Sequence, residues 1–354
     1  MNTQRSLLDV RQQLDEEAQR LGFSGLRISA PDLSKASEAL KAWLAAGHHG
    51  EMKWFERNHE KRAAPHRLVP GTVRVISVSL PYLAENGAPA QHILQDKERA
   101  YVSRYALGRD YHKVMRHRLA KLARTLSELT GAPPGRVFCD SAPVMEVEIA
   151  AQSGLGWKGK HTLLLNRTEG SWFFLGEIFT SLPLPIDSPT TQHCGSCSAC
   201  IDACPTQAIF APYQVDARKC ISYLTIEHPG SIPEALRPLM GNRIYGCDDC
   251  QLFCPWNKDP EPQTTPEDFT KRENLDAASL LELFAWTEQE FNERLAGSPI
   301  RRIGYPRWIR NIAVAIGNGP KTNAAKAALQ NALNIHPDAV VKEHVEWSLK
   351  TFEE

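Results

Sequence analysis

The chain has 354 residues, 42% of them hydrophobic, and its 41 basic side chains are balanced by 41 acidic ones. That length suffices for two or three domains with cores of their own, in a composition ordinary for a globular protein. No run approaches the roughly 18 uninterrupted apolar residues that span a bilayer, so no membrane span is expected, and a net charge of zero leaves nucleic-acid binding to a local patch.

The opening MNTQRSLLDV leads into a charged amphipathic pattern, with neither an apolar export segment nor a twin-arginine pair. A cytoplasmic location is therefore expected. Leu7, Val10, Leu14, Ala18 and Leu21 predict a helix that stops at Gly22, and a second helix runs from about residue 37 to Gly47. The short β-branched run VRVISVSL (73–80), bounded by Pro-Gly and Pro, predicts a buried strand. Val114, Leu119, Leu122, Leu126 and Leu129 form the apolar stripe of a helix ending at Gly131. A strand at 136–139, a helix from about 142 to 152, and strands around 162–165 and 172–179 follow. The mixture predicts an α+β chain whose first domain, 1–185, is α/β or α+β. The Pro-, Ser- and Thr-rich stretch 182–192 marks its end. The cysteine segment occupies 186–265. From 275 to 354, helical spacing in Leu280, Leu281, Leu283 and Phe284, in Ile309, Ile312, Ala313 and Ile316, and in Val340, Val341, Val345 and Leu349 predicts a small helical-repeat module.

Eight of the nine cysteines lie between Cys194 and Cys254. One dense group in a long chain is a metal site rather than a disulfide framework. Cys194-x2-Cys197-x2-Cys200-x3-Cys204-Pro205 is the bacterial ferredoxin spacing, in which the fourth cysteine reaches the other cluster. Cys247-x2-Cys250-x3-Cys254-Pro255 repeats it without its first member, and Cys220 is the substitute at hand. The crossover rule then gives one [4Fe-4S] cluster to Cys194, Cys197, Cys200 and Cys254, and the other to Cys204, Cys220, Cys247 and Cys250. Paired zinc sites would also use thiolate quartets but leave the two x3-Cys-Pro endings unexplained. Cys139, outside the group, is expected to be a buried apolar residue.

Two other motifs need their context. Gly154 to Lys160 matches G-x-G-x-x-G and most of a P-loop, yet a helix-like segment precedes it, the strand-like HTLLLN follows, and His161 replaces the metal-binding Ser or Thr. A nucleotide-hydrolysing loop is thereby rejected, while Lys158, Lys160 and the backbone N–H groups could still cradle a polar ligand. Asp110-Tyr111-His112 opens like an Asp-x-His-x-x-Gly corrinoid motif, but Met115 stands where the glycine belongs. His112 is expected instead to cap or hydrogen-bond at the start of its helix.

Taken together, KRAAPHRLVPG (61–71), SRYALGRDYHK (103–113), FCDSAP (138–143), SGLGWKGKHTLLLN (153–166), the cysteines, CISYLTIE (220–227) and NRIYGCDDCQLFCPWN (242–257) resemble the epoxyqueuosine reductase family over nearly the whole chain. The resemblance implies cobalamin in a nitroreductase-like N-terminal domain, two [4Fe-4S] clusters, and a HEAT-like C-terminal module that helps bind tRNA. It implies reduction of epoxyqueuosine to queuosine at the tRNA wobble position. Arg62, Tyr105, Ala106, Asp140, Ser153, Gly154, Lys158 and Lys160 would surround the cobalamin, with Asp140 as proton donor. Spacing alone would make Asp140 a helix cap ahead of Pro143, and a carboxyl that protonates oxygen near neutral pH needs a raised pKa.

Between Arg294 and Pro337 seven basic residues, Lys326 among them, occur without one Asp or Glu. That asymmetry suggests a tRNA-binding face of Arg301, Arg302, Arg307, Arg310 and Lys321, with Tyr305 and Trp308 close by for stacking. Expected partners are a tRNA carrying epoxyqueuosine and an external electron donor, and the chain is expected to be a monomer. Two readings compete: a non-catalytic iron–sulfur electron carrier, which would need no corrinoid, and a reductive dehalogenase-like enzyme, whose relatives carry twin-arginine leaders.

Overall fold

The strand signal at 73–80 becomes Arg74–Pro81, an inner strand of a four-stranded sheet in the computed structural model, which describes residues 6–83, 88–258 and 267–353. The order across the sheet is Gly25–Ser29, Arg74–Pro81, Phe173–Thr180, Arg136–Phe138. Every pairing is antiparallel, so this is an α+β layer rather than a parallel α/β sheet. Period-two alternation divides its side chains between two cores. Ile76, Val78, Leu80 and Ile178 pack under the helices Leu7–Arg20 and Tyr111–Thr130, whereas Val75 and Phe179 meet Ile149 of the helix Glu146–Ser153 on the other face. A Cβ on Gly176 would sit 2.7 Å from Met115 Cε, so this glycine lets the long helix rest against the strand.

The helix ends obey local chemistry. Asp110 caps Tyr111–Thr130 by accepting from the His112 N–H at 3.0 Å, and Gly131, at φ 73°, closes it in the left-handed conformation. The helix expected from residue 142 begins only at Glu146, and its N-cap, Met145, makes no side-chain cap bond. The capping role that spacing suggests for Asp140 is therefore not what the fold uses. Residues 139–145 form a turn instead, with Asp140 at φ 54°.

The C-terminal part contains the helices Leu280–Phe284, Glu288–Arg294, Tyr305–Gly317, Asn323–Ile335 and Ala339–Lys350. Their core also takes in Val102, Ala106, Leu107, Ile226, Ile244 and Tyr245, and the strand Tyr101–Val102 pairs in parallel with Arg243–Tyr245. The sequence division at 1–185, 186–265 and 275–354 thus cuts through shared packing, and residues 259–265 of the middle segment lie outside the described residues. No helix among the described residues is long and apolar enough to cross a membrane.

Candidate active site

A cavity of about 470 Å³ opens where the sheet, the cysteine segment and the 103–111 loop meet. Tyr82, Tyr105, Tyr111, Phe173 and Phe174 wall it, Asp140 stands on its lining, and Cys204, Cys220, Cys247 and Cys250 all border it. His161 also reaches it, with Nε2 buried and unpartnered and its pKa pushed by burial down to about 4.

Asp140 is bound by its neighbours across the turn. Tyr111 donates its O–H to Asp140 Oδ2, and His112 Nε2 lies 3.0 Å from the same oxygen. The other ring nitrogen, Nδ1, is 2.8 Å from Asp110 Oδ1. Tyr111 is held in place by stacking on Phe174 at 4.2 Å and on His112 at 4.1 Å. Burial opposes a charge on His112, but the hydrogen bonds and charges of Asp110 and Asp140 outweigh it and lift the imidazole to about 9. For Asp140, burial works upward, yet the hydrogen bonds from His112 and Tyr111 and the His112 charge bring it below the usual carboxylate range. The expectation of a raised Asp140 pKa is thus corrected. At neutral pH the proton rests mainly on His112, and Asp140 and His112 hold it as a pair.

Behind the turn the Asp140 N–H donates to Glu146 Oε1 at 2.6 Å, and Glu177 lies beneath, 0% exposed. Sequence reading singled out neither glutamate, nor Tyr111 or His161, as part of a site. One signal was available for Glu177, because it is the sole ionisable residue in FFLGEIFT.

Of the eight residues expected around a cobalamin, Tyr105 and Asp140 line the cavity and the other six do not. Arg62 is buried between Trp54 and Phe55, and its Nη1 reaches Ala142 O at 3.3 Å, so it braces the turn from behind. Ala106 belongs to the C-terminal core. Ser153 is sealed inside its helix and donates to Ala150 O. Gly154 ends that helix at φ 83°, where a Cβ would come within 2.1 Å of Ser188 O. Lys158 pairs with Glu148 at 2.6 Å, and Lys160 donates to Gly195 O and Cys197 O at 2.7 and 2.8 Å, securing the first cysteine loop. Trp157–Lys158 and Leu164–Leu165 form a hairpin, with no helix after the glycines, as the rejection of a P-loop requires.

The cysteines gather in two groups. Cys200 feels Cys254, Cys194 and Cys197, and Cys254 feels Cys194 and Cys197. Cys220 feels Cys204, Cys247 feels Cys220, and Cys250 feels Cys220, Cys204 and, across the divide, Cys200. No three His, Cys, Asp or Glu side chains among the described residues converge closely enough for a single metal ion. A four-iron cluster, with one thiolate per iron, spreads its ligands wider than a lone tetrahedral zinc. Cys139 is buried, as expected.

The basic face is smaller than its sequence suggests. Arg310 is 1% exposed and donates to Leu224 O, His228 O and Gly230 O at 2.7–2.8 Å, so it cannot meet a phosphate. Lys321 is fastened to Gly317 O and Thr351 Oγ1 and lies over the Phe352 ring. Arg307 spends two donors on Ile303 O and Ile226 O. Trp308 is 0% exposed and cannot stack on a base. Arg301 and Arg302 remain at the surface, the latter paired with Glu227 at 2.5 Å and near enough to bias the Asp140 charge.

Two sequence families match the chain. The 4Fe-4S double cluster binding domain covers residues 193–257, and the family described as epoxyqueuosine reductase QueG, DUF1730, covers residues 62–141. The epoxyqueuosine reductase of Xanthomonas campestris pv. campestris is 54% identical over 333 residues, spanning 94% of this chain and 93% of the relative. A crystal structure of an epoxyqueuosine reductase with an epoxyqueuosine-modified tRNA-Tyr stem loop superposes with a TM-score of 0.88 at 26% identity, covering 99% and 92% of the two chains. The Bacillus subtilis epoxyqueuosine reductase, solved with its catalytic aspartate loop swung out of the active site, gives a TM-score of 0.87 at 26% identity, covering 98% and 91%.

Proposed function

Because the chain belongs to the epoxyqueuosine reductase family, we propose that it is an oxidoreductase that reduces epoxyqueuosine in tRNA to queuosine, acting as a cytoplasmic monomer supplied by an external electron donor. The observation that carries this reading is the continuity of one cavity from the Asp140–His112 pair to Cys204, Cys220, Cys247 and Cys250. Removing an epoxide oxygen as water consumes two electrons and two protons, and the cavity brings an electron entry and a proton source together. Cys194, Cys197, Cys200 and Cys254 would ligate the outer cluster and the other quartet the inner one, as the ferredoxin crossover requires.

The cavity suits cobalamin, with flat aromatic and apolar walls for a large ring and the orphaned His161 Nε2 for a polar edge. Tyr105, Leu163, Leu164, Phe173 and Phe174 would hold it, and when bound it supplies a low-valent, strongly nucleophilic or radical-forming metal centre. Asp140 and His112 hold the proton destined for the departing oxygen. Tyr111 orients Asp140, and Asp110 holds the ring of His112. A loop of this kind swings in the Bacillus subtilis relative, which supports reading the 139–145 turn as the working loop here. At the surface, Arg301 and Arg302 would contact tRNA phosphates.

The test is turnover of epoxyqueuosine-containing tRNA by anaerobically purified protein. Wild type should form queuosine, and Asp140→Asn should slow it by roughly 10²–10⁴-fold with iron and cobalamin contents unchanged. Near-normal turnover by a folded Asp140→Asn protein removes Asp140 from the proton path.

A further inference from the structure

Glu177 occupies the inner strand Phe173–Thr180, in register between Ser77 and Phe138. It shares a face with Phe179, which packs against Ile149 of the Glu146–Ser153 helix. It is 0% exposed, neither carboxyl oxygen meets a hydrogen-bond partner of good geometry, and the neighbouring Ser77 Oγ is also unpartnered. The charges acting on Glu177 are those of Glu146 and Asp140, both of its own sign. A carboxylate without donors or a counter-ion is not sustained in such a place, and two carboxyls sharing one site do not both ionise. Glu177 therefore keeps its proton, held well above the usual range by burial and then by the charge of Glu146.

We propose that Glu146 and Glu177 share one proton and together position Asp140: Glu177 donates that proton toward Glu146, and the charge left on Glu146 grips the Asp140 N–H and holds the turn in its working shape. The shape needs holding. Asp140 sits at φ 54°, in the left-handed region that Asp enters more readily than most L-residues but still only in particular turns, and a charge-assisted bond of 2.6 Å from its N–H helps fix that turn. Burial and the Asp140 charge push Glu146 up to about 7, so acid weakens the grip. The other groups facing the pair are His112, which favours the charged form of Glu146, Arg62, whose pKa burial lowers against the pull of Glu146 and Asp140, and Cys139, whose thiol is pushed up by burial and by the acids around it.

The catalytic meaning of the pair rests on Asp140 as proton donor, but its existence can be tested without turnover, so the two readings fail separately. Infrared difference spectra of full-length, cluster-loaded protein at pH 8, wild type minus Glu177→Gln, should show a protonated-carboxyl C=O band that shifts in D2O. Hydrogen exchange at the Asp140 amide should speed up about tenfold or more in Glu146→Ala. In wild type its protection relative to the pH-dependent intrinsic rate should also fall as pH drops below 7. Glu177→Gln, which keeps a donor toward Glu146, should retain the slow exchange, whereas Glu177→Leu should lose it. Absence of the carboxyl band, or wild-type exchange at Asp140 in folded Glu146→Ala, overturns the proposal.

Discussion

The C-terminal helices bury Arg310 and the sheet buries Glu177, and the two regions treat charge in opposite ways. Arg310 spends its donors on three backbone carbonyls and on Asn311 Oδ1. Asn311 in turn donates to Thr225 O and Ile244 O at 2.9 Å. Glu177 has no such shell, and Ser77 Oγ opposite it and His161 Nε2 on the cavity are also left without partners. A charge whose bonds are all made is a fastener, here tying residues 224–230 to the helix Tyr305–Gly317. Unsatisfied buried groups cost stability and persist where something else uses them.

The contrast can be broken by three measurements. Replacing Arg310 with Met keeps the volume but strands the three carbonyls, so it should lower stability on the order of 3–5 kcal/mol in a chemical melt. A shift under 1 kcal/mol would show that the bonds are incidental. His344 tests the same region with pH. It is 0% exposed, with Nε2 accepting from the Ile232 N–H at 3.0 Å and Nδ1 2.6 Å from Val340 O. Burial, aided by the charge of Arg237, lowers its pKa from 6.5 to about 4. The unfolded chain therefore takes up the proton first: stability from His344 is complete above pH 6.5 and drains away as pH falls toward 4. His344→Gln should flatten that limb by on the order of 2 kcal/mol, read as Tm against pH. The smallest effect belongs to the two arginines that stay outside. Arg301→Ala with Arg302→Ala should raise the KM for tRNA several-fold and reduce the salt slope of binding by about two, with cluster content unchanged, whereas Arg310→Met should leave that slope alone.

How far the sequence could be read follows from the same contrast. Spacing carries the ferredoxin pattern of the cysteines, because its C-x2-C and x3-Cys-Pro intervals are local, and the 4Fe-4S double cluster binding domain matches them over residues 193–257. Periodicity carries the helices at Leu7–Arg20 and Tyr111–Thr130, because amphipathic faces are local too. The antiparallel sheet was out of reach, since Arg74–Pro81 finds Phe173–Thr180 across about a hundred residues and no local pattern names the partner. The basic face went partly wrong for a visible reason. In YPRWIRNIAVAIG every residue from Trp308 to Gly317 is buried, and a helix apolar on nearly all sides carries its odd arginine inward. Asp140 was found through the family resemblance, but its partnership with His112 depends on a turn with positive φ that no spacing rule anticipates.

The parallel pairing of Tyr101–Val102 with Arg243–Tyr245 has a thermodynamic corollary. Just beyond that strand, Asp248, between Cys247 and Cys250, accepts from Tyr101 Oη, Ser103 Oγ and the Arg104 N–H at 2.5–2.8 Å. The backbone that presents Tyr105 to the cavity is therefore spliced to the loop that carries two thiolates. Any ion or cluster that binds the ordered form of that loop adds its binding free energy to the ordering of residues 101–105. Ordering of the cysteine loop and of the cavity wall at residues 101–105 then belongs to one cooperative unit, so a cluster bound to that loop would also steady the wall that carries Tyr105.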